Sequence, residues 1–163
     1  MIGKIKGKLA EMDKNIGYIE TASGVFYKVY LPPQLLKNTN INKNIVLYTY
    51  LQVREDNLTL YGFQNKQQFN VFEMLLTVDG IGPKSAFNII SYTDSEKILK
   101  AVTDNNLDFF CSIPGIGKKT AQKILLELSS LLKKTYELKL EELSDDDKLV
   151  IDALVSLLSL IHI

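Results

Sequence analysis

The 163 residues contain one cysteine, Cys111, one histidine, His162, and no tryptophan. A lone cysteine excludes a disulfide framework within the chain, and the lack of a cysteine cluster excludes an iron–sulfur site. Cys111 follows Leu107-Asp108-Phe109-Phe110, a largely apolar run in which a small buried hydrophobe in a reducing setting is the expected role. His162 lies in the C-terminal tail and is given no role. Long unbroken apolar runs are also scarce. The N-terminus alternates lysine with apolar residues, unlike a signal peptide. The longest apolar stretch, Ala153 to Ile161, is interrupted by Ser156 and Ser159 and is too short to cross a bilayer. These features predict a cytoplasmic protein with no membrane partner. With no nuclease-type carboxylate cluster, metal-ligand spacing or nucleophile triad in view, no catalytic residue, metal or cofactor is expected.

Excess charge is lacking too, since 19 basic residues meet 19 acidic ones, but the balance is uneven along the chain. Residues 1–62 carry a net charge of +3, residues 63–136 carry +2 and residues 137–163 carry −5. A basic body with an acidic tail suits a partner with a polyanionic backbone better than the overall neutrality suggests.

What the chain does have is a short segment written twice. Val78-Asp79-Gly80-Ile81-Gly82-Pro83-Lys84-Ser85-Ala86 returns 35 residues later as Ile113-Pro114-Gly115-Ile116-Gly117-Lys118-Lys119-Thr120-Ala121. Two glycines around an apolar residue permit a hairpin with positive φ, and the residues after them open a helix. Amide N–H groups at such a turn and helix N-terminus form a concave anion site, to which lysine adds full charge. The isoleucine between the glycines is expected to point inward. This is the pattern of a helix-hairpin-helix, which grips a nucleic-acid backbone without reading bases.

Two nucleotide-binding alternatives fail on the letters. A dinucleotide fingerprint requires a third glycine where Ser85 and Thr120 stand, and a Walker A loop requires glycine and Ser/Thr where Ser112 and Lys119 stand. A pair of tight structural turns would explain one copy; two copies with lysine favour backbone binding.

The predicted fold class is α+β and multidomain. Residues 1–63 read as strands over 2–9, 16–20, 25–30, 45–53 and 58–63, with a helical turn near 34–37, which suits a five-stranded barrel of the OB type. From Asn65, an expected N-cap, the period becomes helical, with helices over 66–76, 84–90, 95–102, 107–111 and 118–134. Residues 64–136 are therefore assigned to a tandem helix-hairpin-helix domain. Residues 137–147 read as an acidic flexible linker, followed by an apolar C-terminal segment over 148–163 that needs a partner to bury it.

The segments Met1 to Gly7, Val53-Arg54-Glu55-Asp56, Leu60-Tyr61-Gly62-Phe63 and the two hairpins, in this order, resemble the RuvA family of Holliday-junction-binding subunits. The resemblance covers residues 1 to about 155. It implies a homotetramer, or an octamer, holding a four-way DNA junction open and square. Its implied partners are a hexameric RuvB-type AAA+ ATPase, to which any ATP hydrolysis belongs, and a RuvC-type junction resolvase. By position, Gly80, Gly82, Gly115 and Gly117 would cradle phosphates, with Lys84, Lys118, Lys119 and Lys123 supplying charge. Lys123 lies one turn beyond Lys119 on a common helix face. Glu55 and Asp56 would form an acidic pin at the centre of the assembly, flanked by Arg54 as a further DNA contact. Taken alone, Glu55-Asp56-Asn57 is an ordinary solvated turn. One carboxylate about 5 Å from a phosphate repels it by only about 0.8 kcal/mol in water, so the pin depends on several converging. The resemblance also implies a third, motor-binding domain. Residues 152–157 resemble its first helix and residues 158–163 depart from it, so 148–163 reads as a truncated remnant.

Two other functions fit parts of the pattern. Helix-hairpin-helix DNA glycosylases carry a similar segment in which the lysine matching Lys119 is a nucleophile, with an acidic residue further along, here Glu137. A general duplex-binding protein would use the same backbone grip without junction preference.

Overall fold

The computed structural model describes residues 1–141. The elements in chain order are β1 (Lys4–Asp13), β2 (Ile16–Glu20), β3 (Phe26–Tyr30), α1 (Pro33–Lys37), β4 (Asn44–Val53), β5 (Leu58–Phe63), α2 (Lys66–Leu76), α3 (Pro83–Tyr92), α4 (Ser95–Thr103), α5 (Leu107–Cys111) and α6 (Lys118–Glu141). The five strands close into a barrel in the order β1-β2-β3-β5-β4. Four of the pairings are antiparallel, and β3 meets β5 in parallel at Tyr30 and Tyr61.

Closure depends on β1, which is longer than its pattern suggested. Lys4 to Lys8 pairs with β4 and Lys8 to Asp13 with β2, the register shifting between Leu9 and Glu11. A bulge of this kind bends one strand so that it serves two neighbours. The sequence pattern stopped at Leu9 because Glu11, Met12 and Asp13 are all exposed and break the alternation. Inside, Leu9, Ile19, Val29, Leu31 and Leu47 are fully buried. The buried Thr49 is satisfied, its Oγ1 donating to the Ile2 carbonyl at 2.6 Å.

The helical part starts where expected. The Asn65 side chain accepts from the Gln68 amide at 2.9 Å, while Gln68 accepts from the Gln64 amide at 3.1 Å, so two donors at the helix entrance are satisfied reciprocally. The boundary after residue 63 is a change of element type but not a break in packing. Tyr61 and Phe63 of β5 belong to the same buried cluster as Phe72, Phe87, Ile89 and Phe110. Phe63 and Phe72 have ring centroids 4.7 Å apart, and Tyr61 and Phe87 5.1 Å. Aromatic contacts at these spacings add to area burial, so the barrel end acts as a platform that orients α2 and α3.

Two parts of the helical region depart from the sequence pattern. Cys111 is exposed. It ends the short α5, where Phe110 takes the inward position and turns its neighbour outward. The proposed linker is also helical at its start, since α6 continues to Glu141. Residues 137–141, Glu-Leu-Lys-Leu-Glu, are all good helix formers with no Gly or Pro to stop propagation. The remaining linker positions and the segment 148–163 lie outside the described residues.

Candidate nucleic-acid interface

The two repeats fold into the same turn. Ile81 N–H donates to the Val78 carbonyl at 3.0 Å, and Ile116 N–H to the Ile113 carbonyl at 3.0 Å. Gly80 and Gly115, at the third position of each turn, both have φ +85°. A four-residue turn closed in this way with positive φ at its third residue is type II, for which glycine is the favoured residue, and Pro114 is favoured before it. Just ahead of each turn a hydroxyl caps the departing helix. Thr77 Oγ1 donates to the Met74 carbonyl and Ser112 Oγ to the Phe109 carbonyl, each at 2.7 Å.

The turns are locked from below and open from above. Val78, Ile81, Ile113 and Ile116 are buried, so each isoleucine between glycines points inward as its pattern predicted. Around Gly80, Gly82, Gly115 and Gly117 the space a Cβ would enter is empty to 4 Å. The helices start immediately, with Ala86 N–H donating to the Gly82 carbonyl and Ala121 N–H to the Gly117 carbonyl, each at 2.9 Å. The amides of the first helical turn precede any intrahelical acceptor, and α3 has one fewer than α6 because Pro83 carries no N–H. Each hairpin therefore offers a group of outward N–H donors at the positive end of a helix dipole, with room for an anion to approach.

Lysine surrounds these donors. Lys84 lies in the first turn of α3, and Lys118 and Lys119 in the first turn of α6; all three are exposed. Lys123 is exposed too, but it is engaged: its Nζ donates to Asp79 Oδ2 at 2.6 Å. This hydrogen bond and the charge behind it hold the Asp79 carboxyl below its ordinary range and raise the Lys123 ammonium above its own. Nothing local in the sequence marks Asp79 as having a partner 44 positions away.

Arg54, Glu55 and Asp56 form the exposed connection between β4 and β5, tied at its base by the Arg54 N–H donating to the Asn57 carbonyl at 2.9 Å. With the Gln52 amide oxygen turned toward Arg54, it accepts from the guanidinium Nε at 2.8 Å and from one Nη at 3.0 Å, which holds the arginine along the strand. Arg54 and Lys84 share the lining of a polar hollow of about 280 Å³, together with Gln52, Asn57, Tyr30 and Asn88. That hollow connects the barrel's β4–β5 connection to the first hairpin's helix. At its floor, burial raises the Tyr61 phenol, Tyr30 pushes the same way, and Arg54 pulls it back. Among the described residues no three His, Cys, Asp or Glu side chains converge in a way that could hold a metal ion, and no helix is long and apolar enough to cross a membrane.

The pairing of Lys119 with Glu137 is overturned. Both lie on α6, 18 residues apart, which at 1.5 Å rise per residue separates them by about 27 Å along the axis. No single active site spans that distance.

A barrel packed through a shared aromatic cluster against tandem hairpins, each presenting an open amide cradle and lysine, defines a protein of the nucleic-acid-backbone-binding class. Comparison with known proteins narrows this. Residues 1–62 match the family model described as RuvA N terminal domain, and residues 72–130 match the SAM-like Helix-hairpin-helix tandem. Relatives named Holliday junction branch migration complex subunit RuvA include one from Caldanaerobacter subterraneus subsp. tengcongensis. It is 37% identical over 161 residues, covering 98% of this chain and 83% of the relative. One from Staphylococcus haemolyticus is 36% identical over 163 residues, covering 96% and 81%. A third, from Symbiobacterium thermophilum, is 44% identical over 129 residues, covering 78% of this chain and 62% of the relative, so the chain spans less than two thirds of that protein's length. The chain belongs to the RuvA family.

Proposed function

We propose that this protein binds four-way DNA junctions by structure and holds them open for branch migration by a partner AAA+ ATPase. The observation that carries the reading is the pair of matched hairpins, each combining an open amide cradle with lysine. In this reading Gly80, Gly82, Gly115 and Gly117 bring backbone amides against phosphates, and Lys84, Lys118, Lys119 and Lys123 neutralise them. The grip is on the backbone, so it is independent of sequence and weakens steeply with salt.

Junction preference is assigned to the β4–β5 connection. Glu55 and Asp56 are exposed at its tip, and Arg54 behind them lines the same hollow as Lys84. In a homotetramer, four such tips would gather eight carboxylates at one centre. There they repel strands from the middle while the hairpins hold the arms, which favours a junction over a linear duplex. The protein itself supplies no catalysis; ATP hydrolysis belongs to the RuvB-type motor, and a RuvC-type resolvase is a further partner. The site of action is the cytoplasm.

The test is a titration against a fixed four-way junction and a linear duplex of matched sequence at several salt concentrations, with Glu55→Gln/Asp56→Asn alongside. The expected result is a large junction preference with a steep salt slope, altered in the variant. Equal binding to both DNAs would leave a general duplex binder and an ordinary turn.

A further inference from the structure

The internal repeat allows each side chain of one hairpin to be compared with its counterpart in the other. Asp79 occupies the second position of the first turn, where the second turn has Pro114, and Lys123 occupies the position in α6 that Asn88 holds in α3. The two halves face each other in a crossed manner: Asp79 contacts Lys123, while Pro114 and Asn88 border one shallow recess. The corresponding positions thus lie near each other twice, but only Asp79 and Lys123 form an ion pair. Among the described residues, Asp79–Lys123 is the ion pair that bridges the two hairpins; Asp94–Lys97, the other pair, is local to the start of α4.

The location gives this pair a consequence that its stability does not. It is solvated on both sides, with Asp79 85% and Lys123 49% exposed at the side chain, so it holds the fold together only weakly. Yet Asp79 immediately precedes Gly80, the open turn glycine of the first amide cradle, and Lys123 shares a helix face with Lys119 beside the second. A carboxylate at that position opposes an incoming phosphate and at the same time occupies the ammonium that would otherwise meet one.

We infer that Asp79 is a charge-masking residue: it holds Lys123 across the two hairpins and competes with DNA phosphate for it, lowering the protein's grip on the backbone. This rests on the backbone-binding reading given above. The competition is between a fixed, intramolecular carboxylate and a phosphate delivered with the duplex. Removing the carboxylate frees one cation per subunit and removes one opposing charge. Because the repeat's other half has Pro114 and Asn88 in these places, the masking occurs at one of the two crossed positions only.

The test is a double-mutant cycle on linear duplex, measured across a salt series with the full chain: wild type, Asp79→Asn, Lys123→Gln and the double variant. Both positions are exposed and both substitutions are isosteric or nearly so, and matched thermal melting establishes that each variant is folded. Asp79→Asn is expected to raise duplex affinity about two- to fivefold and to steepen the salt slope by about one phosphate's worth. On the Lys123→Gln background the same substitution should give less than half that gain, with no change in slope. An undiminished gain on that background would mean that Asp79 merely repels DNA and masks nothing, which overturns the inference; so would no gain on either background. A wild-type protein that binds neither duplex nor junction would overturn the function proposed above as well. That outcome is distinct, because it appears in the wild-type curve before any variant is compared.

Discussion

The first hairpin, Val78 to Ile81, and the second, Ile113 to Ile116, share a backbone and differ in charge. Their turn hydrogen bonds are both 3.0 Å, their helix-opening bonds both 2.9 Å, and the hydroxyl caps before them both 2.7 Å. The side chains around that common frame diverge. Lys84 and Lys119 match; beside them the first copy has Asp79, Pro83 and Asn88, where the second has Pro114, Lys118 and Lys123. Amide donors set where a phosphate sits, and side-chain charge sets how strongly it is held. The molecule has therefore kept the turn in duplicate, with one amide fewer at Pro83 than at Lys118, while weighting the electrostatics toward the second copy.

The comparison can be broken most forcefully at the buried isoleucines. Ile81→Ala and Ile116→Ala each remove a side chain that is at least 92% buried, at a cost of about 2–4 kcal/mol of stability in urea denaturation. The two losses are expected to agree closely; a large inequality would show that the matched backbones rest on unequal packing. Next in size are the lysines. Lys118→Ala/Lys119→Ala should flatten the salt dependence of duplex binding by about two phosphates and Lys84→Ala by about one. Equal effects would mean that the difference in charge is not felt by DNA.

The turn glycines come third. Gly80→Ala and Gly115→Ala meet open space, so their penalty is the left-handed backbone alone, about 1–2 kcal/mol each. A calorimetric melt should show the same decrease for both. Smallest is the pH response of the bridge. Asp79 titrates below its ordinary value when folded, so its contribution is present above the ordinary carboxylate range and is lost as pH falls through the lowered value. Lys123 titrates above its ordinary value, so its contribution is present below the ordinary lysine range and is lost as pH rises through the raised one. Asp79→Asn should therefore flatten stability slightly at the acid end and again at the alkaline end. A variant with an unchanged pH profile would show that the contact is not populated in solution.

Much of the architecture was legible before the structure. The spans of β2, β5, α2 and α5 agree with the pattern reading, as do the Asn65 cap and the inward isoleucines. Each of these depends on residues within one or two turns of each other. The misreadings share the opposite property. The end of β1 was missed because Glu11 to Asp13 is held by pairing with β2 and not by alternation. The apolar neighbours of Cys111 suggest burial, but Leu107, Phe109 and Phe110 take the core-facing positions of α5 and leave the cysteine exposed. Arg54 and Lys84 stand 30 residues apart, and no local pattern indicates that they line one hollow.

The sequence by itself determined the turns, because a glycine that must take positive φ, a hydroxyl that caps a helix and an isoleucine beside them act through local sterics and hydrogen bonds. It also determined the family, because the order of such local motifs is itself distinctive. Only the tertiary structure decided which charges face one another. Asp79 and Lys123 meet across 44 residues because the packing of α2, α3 and α6 around a shared aromatic and aliphatic core brings one hairpin over the other. An ion pair between exposed side chains contributes too little to leave a pattern in composition or periodicity, so its existence follows from the fold and not from the letters.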